Sequence, residues 1–489
     1  MAPHPVPHHY EFDLAVIGAG SAGLSAAGFA AQMGASVLLV DKKEPGGDCT
    51  WSGCVPSKAL VHLASEQAVL GKSADLKRIQ ESVQATIRRV YQHEDPAALE
   101  EKGIEFAQGE VEFLDKYHIN VRSAEDGKNR NVSSRNFLVA TGAKPVYPES
   151  ITGFDAIDNK YNYETIWELT KLPQRLIVVG SGPVGCELAQ AFARLGSQVT
   201  LVGSTLLPRE TKRARETVLK ALEKDGISFL HSRPAAATQN AGGVVNMVMS
   251  DGTKAAGDAV LYAVGRAPVL PAGLAKVVGA GSIAEDGGLI CSDTLAVKSC
   301  PNIYGAGDCV EENLQFTHYA GYQGFQAVRN ALLPFSSEAK IPASVPRVTF
   351  TDPEVGAIGL NTLVDAQHHG FKSAVVLRWS GAHTDRAVCQ GAEDVTFVEL
   401  VVANATSPHA KIIGANAVGP SAGELICELS LIVSCGLTLS QVSHAIHPYP
   451  TYGFAIQQLC AEETTTRLLK TNTLRLLTAK YKSPCCTIS

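Results

Sequence analysis

A short apolar strand that runs into Gly-x-Gly-x-x-Gly and then into a helix occurs twice in this chain. That unit constrains the fold more than any other feature. The first copy is Phe12–Ile17 followed by Gly18, Gly20, Ser21 and Gly23, with an Ala-rich helix next and a second strand over 36–40 that ends at Asp41. The second copy is a strand over 175–179, then Gly180, Gly182 and Gly185, a helix through Arg194 and a strand over 199–202. Each reads as the start of a βαβ unit. The glycines let the backbone turn tightly and approach a pyrophosphate held at the helix N-terminus. One such motif is weak evidence, but two in strand-to-helix context predict two dinucleotide-binding domains. Asp41 stands where an acid accepts hydrogen bonds from an adenosine ribose. The second unit has no acid there. Its strand ends at Gly203, and Arg209, Lys212, Arg213 and Arg215 follow, which predicts a 2′-phosphate and so NADPH over NADH.

The rest of the chain fits a multidomain enzyme. Its 489 residues suggest about three domains. Pro-rich stretches at 144–148, 268–271 and 342–346 are candidate boundaries. Beyond about 345, strands at 347–350 and 397–402 alternate with a helical stretch at 421–435, an α+β pattern. The net charge of −6 gives no basic face for nucleic acid. No apolar run reaches the ~18 residues of a membrane span. Residues 1–10 are rich in Pro and His without an apolar core, so they do not read as a secretory signal. Twelve cysteines are too few for a disulfide scaffold and suit a reducing, cytoplasmic setting.

The segment Gly46-Gly47-Asp48-Cys49-Thr50-Trp51-Ser52-Gly53-Cys54-Val55-Pro56-Ser57-Lys58 carries the chemistry. Two cysteines lie close together just after the first βαβ unit. Pro56 marks the first turn of a helix, and a helix N-terminus favours thiolate. A disulfide here can accept two electrons, then exchange with an outside disulfide or bind a soft metal.

At these residues the chain resembles the pyridine nucleotide-disulfide oxidoreductases, a family that includes glutathione reductase, dihydrolipoamide dehydrogenase and mercuric reductase. The resemblance extends through Ala140-Thr141-Gly142, Gly265-Arg266-Ala267-Pro268, Asn302–Asp308, the Phe316-Thr317-His318 segment, Pro346–Glu354 and Gly414–Glu424. It implies an α/β fold of glutathione reductase type, with two Rossmann-like domains and a C-terminal α+β dimerisation domain. The implied parts are an FAD domain at 10–148 and 281–340, an NAD(P)H domain at 149–280, an interface domain at 341–474 and a tail at 475–489. It also implies a homodimer that binds FAD and NADPH, with NADH the alternative nucleotide. Cys54 would face the flavin and Cys49 would be the interchange thiol. Lys58 and Glu187 would form an ion pair beside the flavin. Gly18, Gly20, Ser21, Gly23, Asp41, Lys42, Gly47, Lys58, Thr141, Gly142, Asp308 and His318 would serve FAD; Gly180, Gly182, Gly185, Arg209, Gly265 and Arg266 would serve the nucleotide sites.

The C-terminal region departs from the dithiol-reducing members. Those carry His-Pro-Thr with a Glu five residues after the His, an acid–base dyad for thiol exchange. This chain reads Ala445-Ile-His447-Pro448-Tyr449-Pro450-Thr451-Tyr452-Gly453-Phe454. Aligned on Pro450-Thr451, Tyr449 takes the His place and Phe454 the Glu place; aligned on His447-Pro448, Tyr452 takes the Glu place. Mercuric reductase also has Tyr there, and either Tyr161 or Tyr163 lies where its second pocket tyrosine is expected. Asp48, Thr50 and Trp51 replace the more usual Thr, Val and Asn. The chain ends Cys485-Cys486-Thr487-Ile488-Ser489. A vicinal pair like that in mercuric reductase would hand Hg²⁺ to Cys49 and Cys54 of the partner subunit. The same letters fit a prenylated C-a-a-X terminus, which would anchor the protein to a membrane in a eukaryote. The expected function is a mercuric-reductase-like flavoprotein; the alternatives are a dithiol oxidoreductase of the dihydrolipoamide dehydrogenase or glutathione reductase type, and a lipid-anchored redox sensor.

Overall fold

The computed structural model describes residues 10–71, 75–335, 337–341 and 345–471. The chain divides into two compact units, one built from residues up to Thr205 with Gly226–Ile341, the other from Leu206–Asp225 with residues from Pro342 onward. The calls on Cys485, Cys486 and the tail at 475–489 lie outside the described residues.

The first unit holds both dinucleotide folds. Strand β1 (Phe12–Ile17) is followed by helix α1 (Ser21–Gln32) and strand β2 (Val37–Asp41). After β2 come helix α2 (Gly47–Trp51), helix α3 (Cys54–Leu70) and helix α4 (Leu76–Tyr91). Strands β3 (Ile104–Phe113), β4 (His118–Ser123) and β5 (Asn129–Val139) complete this half. β1 pairs in parallel with β2 and with β5, β2 with β3, and β5 with the strand Cys300–Gly305. The late strand thus returns to the first sheet. Both faces of this sheet are covered, so β1 and β2 read as unbroken apolar runs rather than alternating ones. Leu14, Val16 and Leu39 pack on one face with Ala22, Ala26 and Ala30 of α1, while Ala15, Ile17 and Leu38 belong to the core on the other.

The second nucleotide fold repeats the logic. Arg175–Val179 pairs in parallel with Gln198–Val202 and with Ala259–Tyr262, and Gln198–Val202 with Ser228–Leu230. The helix Pro183–Leu195 begins directly after Gly182. The second unit is built on an antiparallel sheet in the order Arg347–Thr349, Glu354–Gly359, Ile412–Gly419, Phe397–Val402, Val375–Ser380. The helices Ala422–Ser434 and Phe454–Leu469 contribute to its core. Among the described residues, no helix is long and apolar enough to cross a membrane.

Candidate active site

Two glycine turns fix where a nucleotide can sit. A Cβ on Gly23 would lie 1.8 Å from the Gly18 carbonyl oxygen, and one on Gly185 would lie 1.9 Å from that of Gly180. Only glycine lets these helices start so close to the preceding strand. Neither helix has a side-chain cap at its N-terminus or an acid in its first turn. Their N-termini are thus left uncapped by side chains, which suits a pyrophosphate. A Cβ on Gly182 would meet nothing within 4 Å, so the second turn opens onto space, and the same holds at Gly142 after β5. Asp41 accepts from the N–H groups of Ala19 at 2.7 Å and Lys43 at 2.9 Å, at the edge of the first turn. These features fit FAD at the first turn and a nicotinamide nucleotide at the second. Lys42 beside Asp41 is exposed.

The cysteine segment is docked onto the first turn through glycine. Gly47 has φ +59°, and a Cβ on it would come within 2.7 Å of the Gly20 Cα. This close approach brings α2, and Cys49 on it, up to the pyrophosphate turn. Cys54 opens α3, so its sulfur stands at a helix N-terminus. Both sulfurs are free thiols in this structure. Cys54 lies 3.2 Å from the Thr317 hydroxyl, and Ser21 donates to the Thr317 carbonyl at 2.8 Å. Thr317, at the start of the helix Thr317–Leu332, is a site residue that sequence reasoning passed over; its place next to His318 was the available signal. His318 itself is exposed and stacks on Phe316.

The two thiols are unlike. A hydrogen bond from Cys49 is the largest influence on Cys54 and lowers its pKa; burial opposes it, while Thr317 and the Lys58 ammonium assist. Cys49 moves the other way, chiefly because it is the donor in that bond and then because it is buried. The thiolate therefore belongs to Cys54. Lys58 Nζ lies 2.7 Å from Glu187 Oε2, and the carboxylate is almost wholly buried. A buried carboxylate needs a counter-charge, and Lys58 supplies it.

The unusual residues around Cys49 have partners. Asp48 accepts from Tyr163 and from Arg266, each at 3.1 Å, and Arg266 reaches Asp308 at 2.8 Å. Burial raises the Asp308 pKa, although Arg266 opposes it. Tyr163 is buried beside this network, whereas Tyr161 lies in a strand pairing with Leu261, so Tyr163 is the tyrosine brought to the redox turn. Trp51 donates to the Pro45 carbonyl at 2.7 Å. Thr141 donates to the Val269 carbonyl, and Gly265 takes φ +133° one residue before Arg266.

Gly203 cannot carry a side chain, because its Cβ would lie 2.1 Å from Ser181 Oγ. Arg213 sits over the Phe397 ring and 3.6 Å from Glu399. Arg209 is exposed, and its carbonyl accepts from Arg347.

In the second unit, Tyr449 and Phe454 meet edge-to-face with centroids 5.5 Å apart. They touch as an aromatic pair at the two places where the resemblance expects a His and a Glu. The Tyr449 hydroxyl donates to Asp385 at 2.5 Å, and that hydrogen bond is the main reason its pKa is raised. His447 does find a carboxylate, but not one the C-terminal motif contains: Nε2 lies 2.6 Å from Glu428 of the helix Ala422–Ser434, and Nδ1 lies 2.9 Å from the Ala445 carbonyl. Both ring nitrogens lie next to acceptors, an arrangement that favours the protonated ring. Burial works against that charge, but the Glu428 bond and then the Ala445 bond outweigh it and raise the pKa. A group whose pKa rises on folding stabilises fully below its unfolded pKa of about 6.5 and loses that stabilisation as pH climbs through the folded value. His447→Gln should therefore cost about 1–2 kcal/mol near pH 6 and progressively less toward pH 9. Thermal melts of both proteins across that range check this; a constant gap would count against it.

Two nucleotide turns, a glycine-docked dithiol and a helix-terminal thiolate together define a nicotinamide-dependent disulfide oxidoreductase of flavoprotein type. The chain belongs to the pyridine nucleotide-disulphide oxidoreductase family. The family model covers residues 12–324, and the model of the family's dimerisation domain covers 345–460, which supports a homodimer. The chain is 31% identical to a dihydrolipoyl dehydrogenase of Haloferax volcanii, over 91% of this chain and 95% of that one. It is also 31% identical to a mercuric reductase of Staphylococcus aureus, over 90% of this chain and 80% of the relative. Among solved structures, a Cu(II) complex of the HOCl-induced flavoprotein disulfide reductase RclA from Escherichia coli matches with TM-score 0.80 at 25% identity, covering 93% of this chain and all of that one. LpdA from Mycobacterium tuberculosis matches with TM-score 0.81 at 25% identity, over 92% and 99%.

Proposed function

We propose that this flavoenzyme uses NADPH to reduce a soft metal ion held between thiolates, with Hg²⁺ as the acceptor to test first. One observation carries the reading: Tyr449, paired with Phe454 and bonded to Asp385, stands where a dithiol enzyme needs a base. Thiol–disulfide exchange requires a group to move a proton to and from the departing thiol. Tyr449 has its own proton bonded to a carboxylate, and both nitrogens of His447 are engaged. Reduction of a metal ion between two sulfurs needs two electrons and no proton for a leaving thiol. The overall balance is Hg²⁺ and NADPH to Hg⁰, NADP⁺ and H⁺.

Bound FAD would supply the two-electron transfer between nicotinamide and the sulfurs. Around it the residues have separate tasks. Gly18, Gly20 and Gly23 admit the pyrophosphate, and Lys58 holds positive charge near Cys54 against Glu187. Cys54 keeps the thiolate, and Cys49 meets the acceptor. The absence of an acid after the strand Gln198–Val202, with bases following, supports NADPH. Soft thiolate ligands suit Hg²⁺ and copper, and both a mercuric reductase and a Cu(II)-bound disulfide reductase are among the similar proteins.

Steady-state oxidation of NADPH and of NADH, each with Hg²⁺, Cu²⁺, lipoamide or oxidised glutathione, tests this. The expected result is metal-dependent oxidation that is faster with NADPH and little turnover of either disulfide. Substantial lipoamide or glutathione turnover without any Hg²⁺-dependent rate would overturn it.

A further inference from the structure

We propose that Ser181 is a specificity-determining residue: its hydroxyl, tied to the Thr205 carbonyl, fills the space beside Gly203 from which an acid would select NADH, and so keeps the turn for the 2′-phosphorylated nucleotide. The inference rests on the NADPH preference of the reading above. The two glycine turns of the chain supply the comparison. In each, the first glycine donates its N–H to the strand that follows the helix: Gly18 to the Val40 carbonyl at 2.7 Å, Gly180 to the Val202 carbonyl at 2.9 Å. The residue after that glycine is Ala19 in one turn and Ser181 in the other. The residue after that carbonyl is Asp41 in one and Gly203 in the other. Ala19 carries no hydroxyl, and its N–H donates to Asp41 Oδ2 at 2.7 Å. Ser181 donates its hydroxyl to the Thr205 carbonyl at 2.7 Å. That hydroxyl takes up the place of a side chain at 203: a Cβ there would lie 2.1 Å from Ser181 Oγ and 2.7 Å from Ser181 Cβ. Non-bonded carbons rest about 3.5–4.0 Å apart, so the two side chains exclude each other.

Both sides of this contact are held in place. Ser181 is buried, and its carbonyl accepts from Cys186 Sγ at 3.4 Å, from within the helix that the turn opens. Gly203 donates its N–H to the Leu230 carbonyl at 3.1 Å, which carries the sheet one residue past the end of its strand. Neither residue can swing aside to admit a carboxylate. An acid at 203 would accept from the 2′-hydroxyl of an adenosine ribose and repel a 2′-phosphate. The Ser181–Gly203 pair removes both effects at once, so the preference is written in two residues and not in Gly203 alone. Removing the Ser181 side chain takes away the contacts at 2.1 and 2.7 Å and leaves a Cβ at 203 only the residue 181 nitrogen, at 3.2 Å, to meet. That last contact is relieved by a shift of a few tenths of an ångström. Alanine at 181 would not suffice, because it keeps the Cβ.

The test is the affinity of the purified flavoprotein for NADP⁺ and for NAD⁺, read by isothermal titration calorimetry, together with melting temperatures. The wild type should bind NADP⁺ roughly tenfold tighter than NAD⁺ or better. Gly203→Asp alone should melt lower and bind both nucleotides more weakly, because its carboxylate has no room beside Ser181. Ser181→Gly alone should keep the preference for NADP⁺. The double variant Ser181→Gly, Gly203→Asp should recover the melting temperature and reverse the preference, to roughly tenfold in favour of NAD⁺. Gly203→Ala is the milder probe of the contact, and it should lower the melting temperature in the wild type by more than in Ser181→Gly. Equal losses in the two backgrounds overturn the proposal. So does a Gly203→Asp variant that reverses the preference as fully as the double variant, or a folded double variant that still prefers NADP⁺. If the wild type itself prefers NAD⁺, the NADPH reading fails, and the proposal with it.

Discussion

Replacing Cys49 with serine should leave an enzyme that still shows long-wavelength absorption from a lone Cys54 thiolate against bound flavin, yet turns over acceptor about a thousandfold more slowly or worse. The thiolate survives because a serine hydroxyl at 49 can still donate to Cys54, and Thr317 and Lys58 remain. Cys49→Ala separates these effects. It removes the donor that contributes most to the low Cys54 pKa, so the absorption should appear only at higher pH than in Cys49→Ser. Cys54→Ser should lose the absorption at every pH. Absorbance titrations of the three variants decide the matter. Equal midpoints for Cys49→Ser and Cys49→Ala would show that the inter-thiol hydrogen bond does not set the charge on Cys54.

Lys58→Met should be the next most damaging change, and it acts through two routes. Glu187 lies almost wholly buried and loses its ammonium at 2.7 Å. Breaking a buried pair from one side costs several kcal/mol, but the Lys58 side chain is more than a third exposed, so about 2 kcal/mol is the scale here. Cys54 also loses the cation that favours its thiolate, so its titration should move to higher pH. The double variant Lys58→Met, Glu187→Gln removes the stranded charge. It should recover most of the stability while leaving the Cys54 titration displaced. Chemical denaturation and absorbance titration of the single and double variants read the two routes separately. A double variant no more stable than Lys58→Met would mean that the loss comes from packing rather than charge.

The sequence was a good guide wherever chemistry is dictated over a short stretch of backbone. The strands Phe12–Ile17, Arg175–Val179 and Phe397–Val402 have the bounds that their apolar runs suggest. The Gly18 and Gly180 turns are legible because a helix can start that close to a strand only if certain residues lack a Cβ. The spacing of Cys49 and Cys54 and the proline in the first turn of α3 show in the same way. Where an element is held by its neighbours instead, the bounds drift, as in the helix Ala422–Ser434, shorter than the stretch its composition suggests.

Tertiary structure decided which charged and hydroxylic groups meet. Nothing in the run Ala445–Phe454 says that His447 will take its acid from Glu428, or that Tyr449 will bond to Asp385, because those acids arrive from other helices. The contact of Thr317 with Cys54 and the pairing of Asp48, Arg266 and Asp308 were invisible for the same reason. A turn is specified by the steric needs of the few residues that form it, so it is written locally. An ion pair or a buried hydrogen bond depends on where distant elements come to rest, and a residue's own neighbours in sequence carry no record of that.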